Sequence, residues 1–279
     1  MNDQPRSAPL PVEPSAPAPV GHRPPPWDLL ERAALEAGFA ALGAAPAGPV
    51  PAAARERYAA WVDTGRHGGA RYLERDRAQR LDPRHRRVLK RAKVVISAAL
   101  PYGRGAVQDR VWRWVAAHAR SRDYHATMVE KLRLVADRIR EAFPGARLRA
   151  FVDTGPVLER TWALAAGLGF QGRHGGLIVP GVGARVALGV LVASGVPAVT
   201  RAAPTPAPFA GCGDCRRCLE ACPTGALVEP GVVDARRCLS HATIERGDAE
   251  LPEPLASRVR TVFGCDVCTE VCPLERPGP

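Results

Sequence analysis

All eight cysteines of this 279-residue chain fall after residue 211. Seven of them form two tight runs, Cys212, Cys215, Cys218 and Cys222 followed by Pro223, then Cys265, Cys268 and Cys272 followed by Pro273. Cys238 stands alone between the runs. A disulfide framework would spread its thiols through a small secreted domain. Confinement to one C-terminal segment instead marks a loop-rich module built around inorganic centres. The spacing C-x2-C-x2-C-x3-C-P is that of bacterial ferredoxins, in which three thiolates hold one 4Fe–4S cluster and the fourth crosses to the other. The crossing gives one set of Cys212, Cys215, Cys218 and Cys272. The other set is Cys222, Cys265 and Cys268, and Cys238 is the thiol left to complete it. Two four-cysteine zinc sites are the alternative, and the spacing with both Cys-Pro pairs favours iron–sulfur. Two clusters in one small module imply electron transfer and leave the electron's destination open.

The rest of the chain reads differently. Residues 1–26, rich in Pro, Ala and Ser, read as a disordered leader. "WDLLERAALEAGF" and "AAARERYAAWV" carry apolar residues at helical spacing. A basic stretch follows, and "VVISAALPY" reads as a short buried strand. "DRVWRWVAAHARSRDYHATMVEKLRLVADRIREAF" reads as mostly helix, broken near Ser121 and stopped before Pro144. "ARLRAFVD" reads as a strand, and "PVLERTWALAAGLGF" as a helix opening on Pro156. "GGLIVP" and "RVALGVLVA" are strand-like. The alternation predicts an α/β (α+β) domain over 27–203, and 204–279 is expected to form a small α+β ferredoxin-like domain entered through the linker Pro204–Pro208.

The net charge of +11 rests almost wholly on arginine. An anionic partner such as nucleic acid is one reading, and an arginine- and alanine-rich compositional bias is the other. No apolar run reaches the roughly 18 residues of a membrane span. The N-terminus has neither the apolar centre of a secretory signal nor a twin-arginine pair. A cytoplasmic protein without a membrane partner is expected.

Five stretches together resemble the epoxyqueuosine reductase family: "RYLER" (71–75), "ARSRDYH" (119–125), "FVDTGPVLER" (151–160), "GLGFQGRHGGLI" (167–178) and "CLSHATIE" (238–245). The resemblance runs from about residue 27 to 279 and includes the isolated Cys238. It implies an N-terminal cobalamin-binding catalytic domain, followed by two 4Fe–4S clusters fed by a low-potential electron donor. The implied reaction removes the epoxide oxygen from the modified wobble base of a tRNA, giving queuosine. A monomer is expected. An epoxide oxygen leaves poorly as an alkoxide, so a general acid is required. A strongly reducing metal centre needs a low-potential donor, which 4Fe–4S clusters can be.

Carried over residue by residue, the resemblance makes Asp153 the proton donor. The local alternative is a helix N-cap for the segment beginning at Pro156. Arg173 and His174, in a glycine-rich loop, are implied to touch the corrin or the substrate, against a solvated basic pair in a tight connection. Arg75 is implied to hold a corrin amide or a phosphate. Ser240, His241 and Ile244 follow Cys238 and are expected at the junction of cluster and cofactor. Asp123, Tyr124 and His125 are divided between a place in the site and simple packing. The sequence departs from the family pattern in two ways. It ends at Pro279 where many members continue into a helical-repeat module, so a short form is expected. Ala184, Arg185 and Val190 also stand where the family usually has serine, tryptophan and glutamate. Two other readings are a corrinoid iron–sulfur reductase acting on a small molecule and a non-catalytic electron carrier. Cobalamin uptake separates the carrier from both enzymes.

Overall fold

The computed structural model describes residues 26–103, 114–153, 155–198, 206–246 and 250–275. The expected leader, but for Pro26, and the first two residues of the expected linker lie outside that range. The N-terminal part runs α1 (Pro26–Glu36), β1 (Ala41–Pro46), α2 (Ala52–Asp63), α3 (Arg71–Arg75), α4 (Arg77–Leu81), α5 (Arg86–Leu89), β2 (Val94–Pro101), α6 (Tyr124–Ala142), β3 (Arg147–Phe151), α7 (Glu159–Ala165), β4 (Phe170–Gln171), β5 (Leu177–Ile178) and β6 (Val186–Ser194). The C-terminal part runs α8 (Arg217–Ala221), β7 (Leu227–Glu229), β8 (Val232–Val233), α9 (Leu239–Ile244) and α10 (Val267–Glu270).

Four strands form one sheet in the order β1-β2-β6-β3, antiparallel throughout. Helices alternate with strands along the chain, yet no crossover makes a parallel pair, so the domain is α+β. The central strands are nearly continuous apolar runs because helices cover both faces. On one face Val94, Ile96, Ala98 and Leu191 pack against Leu30 and Ala34 of α1 and Met128, Leu132 and Val135 of α6. On the other, Val95, Ala99, Val190 and Val192 pack against Trp162 and Ala163 of α7 and Val88 of α5. Side chains two apart share a face, which sorts one strand's residues into two cores. Gly189 is required here, since a Cβ would lie 2.7 Å from Met128 Sδ. Val190, one of the departures from the family pattern, is buried core.

Three local expectations need correction. The long helix starts at Tyr124, where the Asp123 carboxylate accepts a hydrogen bond from His125 N at 2.9 Å. Ala117–Ala119 before it form only a short 3-10 turn, and residues 109–113 lie outside the described range. The next helix starts at Glu159 rather than Pro156, with Leu158 before it and no side-chain cap.

In the C-terminal part, α8 carries Cys218 and α10 carries Cys268, and the two helices pack together. The Trp61 indole and several main-chain groups join this part to the sheet domain. Trp61 Nε1 donates to Val233 O (2.7 Å), Gly231 N to Arg173 O (2.7 Å), Phe209 N to Gln171 O (2.9 Å) and Ala235 N to Arg66 O (2.8 Å). Among the described residues no helix is long and apolar enough to cross a membrane.

Candidate active site and cluster module

Asp153 lies two residues beyond the end of β3 and has φ +46°, the left-handed region that a non-glycine residue rarely adopts. Its side chain is 54 % exposed. Gly155 beyond it has no room for a side chain, because a Cβ would lie 2.5 Å from Phe151 Cδ1. The loop therefore turns tightly and presents the carboxylate outward. Since α7 begins only at Glu159, Asp153 does not cap it.

The start of α6 meets this carboxylate. The Tyr124 hydroxyl donates to Asp153 Oδ2. His125 Nε2 lies 3.2 Å from the same oxygen, and His125 Nδ1 lies 2.8 Å from Asp123 Oδ1. The Tyr124 and His125 rings stack with centroids 4.1 Å apart. Burial, then the bond to Asp153, pushes the Tyr124 hydroxyl far above its ordinary pKa, so it stays a donor. The hydrogen bond to His125 lowers the Asp123 carboxyl, which stays anionic. Asp123, His125, Asp153 and Tyr124 form one connected polar chain.

Behind the loop lie two charged residues that sequence reasoning did not single out. Arg80 is only 2 % exposed, donates from Nη1 to Gly155 O at 3.1 Å and holds its guanidinium 5.7 Å from the Tyr72 ring. Its Nε has no partner. Glu159 buries Oε1 without a partner, and burial, helped by the Asp153 charge, pushes its pKa up to about 8. Arg80 hides within a run of arginines, and only tertiary burial distinguishes it. Burial, then the charges of Glu245 and Asp153, raises the Tyr72 hydroxyl.

The other candidates fall in two places. Arg75 is exposed in the last turn of α3, and Ser240 and Ile244 are half-buried one turn apart on α9. His241 is half-buried, and its Nε2 lies 3.1 Å from Gly68 O. Arg173 contacts the first cysteine run and its surroundings, and His174 lies within the glycine loop. Arg173 Nη2 donates to Gly213 O at 2.6 Å, and the guanidinium lies 5.4 Å from the Phe209 ring. His174 is buried, and its Nδ1 accepts from Gly176 N at 3.0 Å. Burial, then the Arg160 charge, holds its pKa down to about 4, so the ring is neutral and its proton is on Nε2. That buried Nε2 has no partner. The reading of a solvated basic pair is therefore wrong.

The thiols influence one another mainly within two groups. Cys218 feels the charges of Cys272, Cys212 and Cys215, and Cys272 feels Cys212 and Cys215. Cys268 feels Cys238, Cys265 and Cys222 most strongly, and burial raises its thiol to about 12. Main-chain N–H groups face the sulfurs, among them Ala226 N, which donates to Cys222 Sγ at 3.3 Å. For Cys222, burial raises the thiol but the bonds from Thr224, Leu227 and Ala226 outweigh it. Eight free thiols in two sets of four, each met by N–H donors, suit two thiolate-ligated clusters. Among the described residues no three metal-binding side chains gather about a single-ion centre. Ala184, another departure, packs beside Cys212 and Cys272, and Ala184 N and Arg185 N donate to Glu275 Oε2 at 2.6 and 3.1 Å.

Two family models match the chain. One, described as epoxyqueuosine reductase QueG, DUF1730, covers residues 80–154, and one described as a 4Fe-4S double cluster binding domain covers 211–275. The epoxyqueuosine reductase of Gloeobacter violaceus is 40 % identical over 241 residues, which is 85 % of this chain and 72 % of that protein. A crystal structure of epoxyqueuosine reductase with a tRNA-Tyr epoxyqueuosine-modified stem loop aligns with TM-score 0.78 at 30 % identity, covering 89 % of this chain and 64 % of that one. A structure of the Bacillus subtilis enzyme, with the loop of its catalytic aspartate swung out of the active site, aligns with TM-score 0.75 at 27 % identity, covering 90 % and 66 %. The chain thus spans slightly less than two thirds of the length of these two solved relatives. The aspartate loop lies within the first matched segment and both cysteine sets within the second, and with identity of this order across most of a curated relative the chain belongs to the epoxyqueuosine reductase family of oxidoreductases.

Proposed function

We propose that this chain removes the epoxide oxygen of epoxyqueuosine at the wobble position of a tRNA, with Asp153 as the acid. The observation that carries this reading is the Asp123–His125–Asp153–Tyr124 chain where the loop after β3 meets the start of α6. A relative of the same fold carries the modified stem loop as its ligand, which supports the substrate. Loss of the oxygen as water takes two electrons and two protons. When bound, the clusters supply low-potential electrons and cobalamin supplies the reducing centre beside the epoxide.

The chain's own residues handle the protons. Both Tyr124 and His125 meet Asp153 at Oδ2, so Oδ1 is the oxygen assigned to the substrate. Asp153 gives its proton to the oxygen as the C–O bond breaks, and the two contacts at Oδ2 stabilise the carboxylate left behind. His125, held as an imidazolium beside anionic Asp123, then returns a proton to Asp153 Oδ2, and a half-turn of the carboxyl about its Cβ–Cγ bond brings that proton to the substrate side. A second pass supplies the second proton. The carboxylate of Asp123 is exposed, so the chain reaches bulk water.

The residues fit a large cofactor with polar edges. His174 Nε2 and Arg80 Nε are buried donors lacking acceptors, as a chain without its ligand would show. Ser240 and Ile244 on α9 and Arg75 on α3 would hold cobalamin's rim, while Arg173 ties the glycine loop that offers His174. Anaerobic reconstitution with iron, sulfide and cobalamin, followed by reduction in the presence of epoxyqueuosine-containing tRNA, tests the reading. Queuosine in the nucleoside digest is expected. Its absence from protein loaded with both clusters and cobalamin would sink this substrate.

A further inference from the structure

Three apolar side chains near the Asp153 site are exposed, Trp114 at 54 %, Phe263 at 37 % and Val262 at 71 %. They come from distant parts of the sequence and are held together by main chain. Val262 N donates to Trp114 O at 2.7 Å, and Ala116 N donates to Phe263 O at 2.8 Å. The Asp266 carboxylate accepts from Ala117 N at 2.6 Å and pins the same segment. The patch is therefore rigid as well as apolar. A rigid exposed patch returns nothing to the stability of the fold and signals a partner.

The patch runs into the site. The Phe263 ring is 6.0 Å from His118, His118 is 6.1 Å edge-on from Tyr124, and Tyr124 donates to Asp153. Arg258 and Arg260, both exposed, immediately precede Val262, in a chain of net charge +11. Flat rings bordered by arginines suit single-stranded nucleic acid, where bases stack on aromatic faces and phosphates meet cations. A base presented for chemistry leaves its stack, so its neighbours need new faces to cover them.

We propose that Trp114 and Phe263 form a stacking platform for the loop nucleobases adjoining the wobble base, with Arg260 facing their phosphates. This rests on the tRNA reaction proposed above and adds where the RNA is gripped. An unmodified tRNA anticodon stem-loop, titrated by fluorescence anisotropy onto the cluster-loaded full chain across a salt series, tests it. Trp114→Ala and Phe263→Ala should each weaken binding roughly tenfold with the salt slope unchanged. Arg260→Ala should reduce that slope by about one. Trp114→Leu keeps apolar bulk without the flat face and should bind like the alanine variant, whereas Trp114→Phe should retain affinity. Unchanged affinity in the alanine and leucine variants, with the wild type binding normally, overturns the platform and leaves the reaction standing. Ring variants that bind RNA normally but break a dimer, or slow reduction by a protein donor, overturn it in favour of a protein interface. A wild type that binds no stem-loop overturns the tRNA reading and the platform together.

Discussion

His125 Nε2 stands 3.2 Å from Asp153 Oδ2, on the same oxygen that receives the Tyr124 hydroxyl. Two groups converging on one carboxylate oxygen fix the orientation of a side chain whose backbone already adopts a rare left-handed turn. Local propensity alone would not hold such a turn. The main chain is clamped from below by Arg80 at Gly155 O, and the carboxylate is clamped from the side by α6.

Asp153→Asn keeps the size of the side chain and removes its proton. Turnover should fall by about 10³-fold, within the usual range for loss of a general acid. Cluster absorbance and stem-loop affinity should not change. Single-turnover assays on the loaded variant check this, and near-normal turnover would remove Asp153 as the acid.

Asp123→Asn should preserve the cap of α6, because asparagine caps as well as aspartate. It removes the anion that steadies protonated His125. Turnover at neutral pH should drop by about tenfold, and His125→Gln should lower it at least as much. Turnover equal to wild type in both variants would remove the relay.

Glu159 has its pKa raised to about 8 in the folded protein, first by burial and then by Asp153. The folded state therefore holds a proton that the unfolded chain releases near pH 4.3. Stability falls as pH rises between those values and levels off above about 8, by an amount on the order of a few kcal/mol. Glu159→Gln should abolish that slope and be the more stable form at pH 9. Chemical denaturation at pH 5, 7 and 9 reads it directly. An unchanged slope would place the group in water.

Cys238→Ala should cost the cluster that Cys222, Cys265 and Cys268 share, and Cys222→Ala should cost the same one. Iron and labile sulfide per chain should fall by about half in either case. Cys272→Ala should instead remove the cluster held by Cys212, Cys215 and Cys218. Pairing Cys272 with Cys265 and Cys268 in the iron analysis would break the crossed assignment.

The cluster module was legible because ligand spacing is local chemistry. Three residues per step and a terminal proline describe a loop around a cubane whatever surrounds it. The sheet was legible only in part. Short strand-like runs located β2, β3, β5 and β6, but a strand's pattern does not name its partners, so the antiparallel order was hidden. β1, "ALGAAP", has no branched residues to announce it. It is built of small ones because α7 packs close above, where a Cβ on Gly43 would lie 2.3 Å from Ala166 O. Asp153 was found through resemblance. Arg80 and Glu159 were not singled out, because burial of a charge is decided by elements far apart in sequence.

The seam between the sheet domain and the cysteine module is stitched by main-chain pairs at Arg66, Arg173, Gln171 and Trp114, and by side chains such as Trp61 on Val233 O and Glu275 on Ala184 N. The main-chain stitches do not depend on which side chains hang nearby. Electron tunnelling between redox centres fades steeply with distance, so the separation between module and catalytic mouth is the quantity such a machine must protect. Here part of it is set by backbone geometry, and around those pairs the sequence can drift without detuning the electron path.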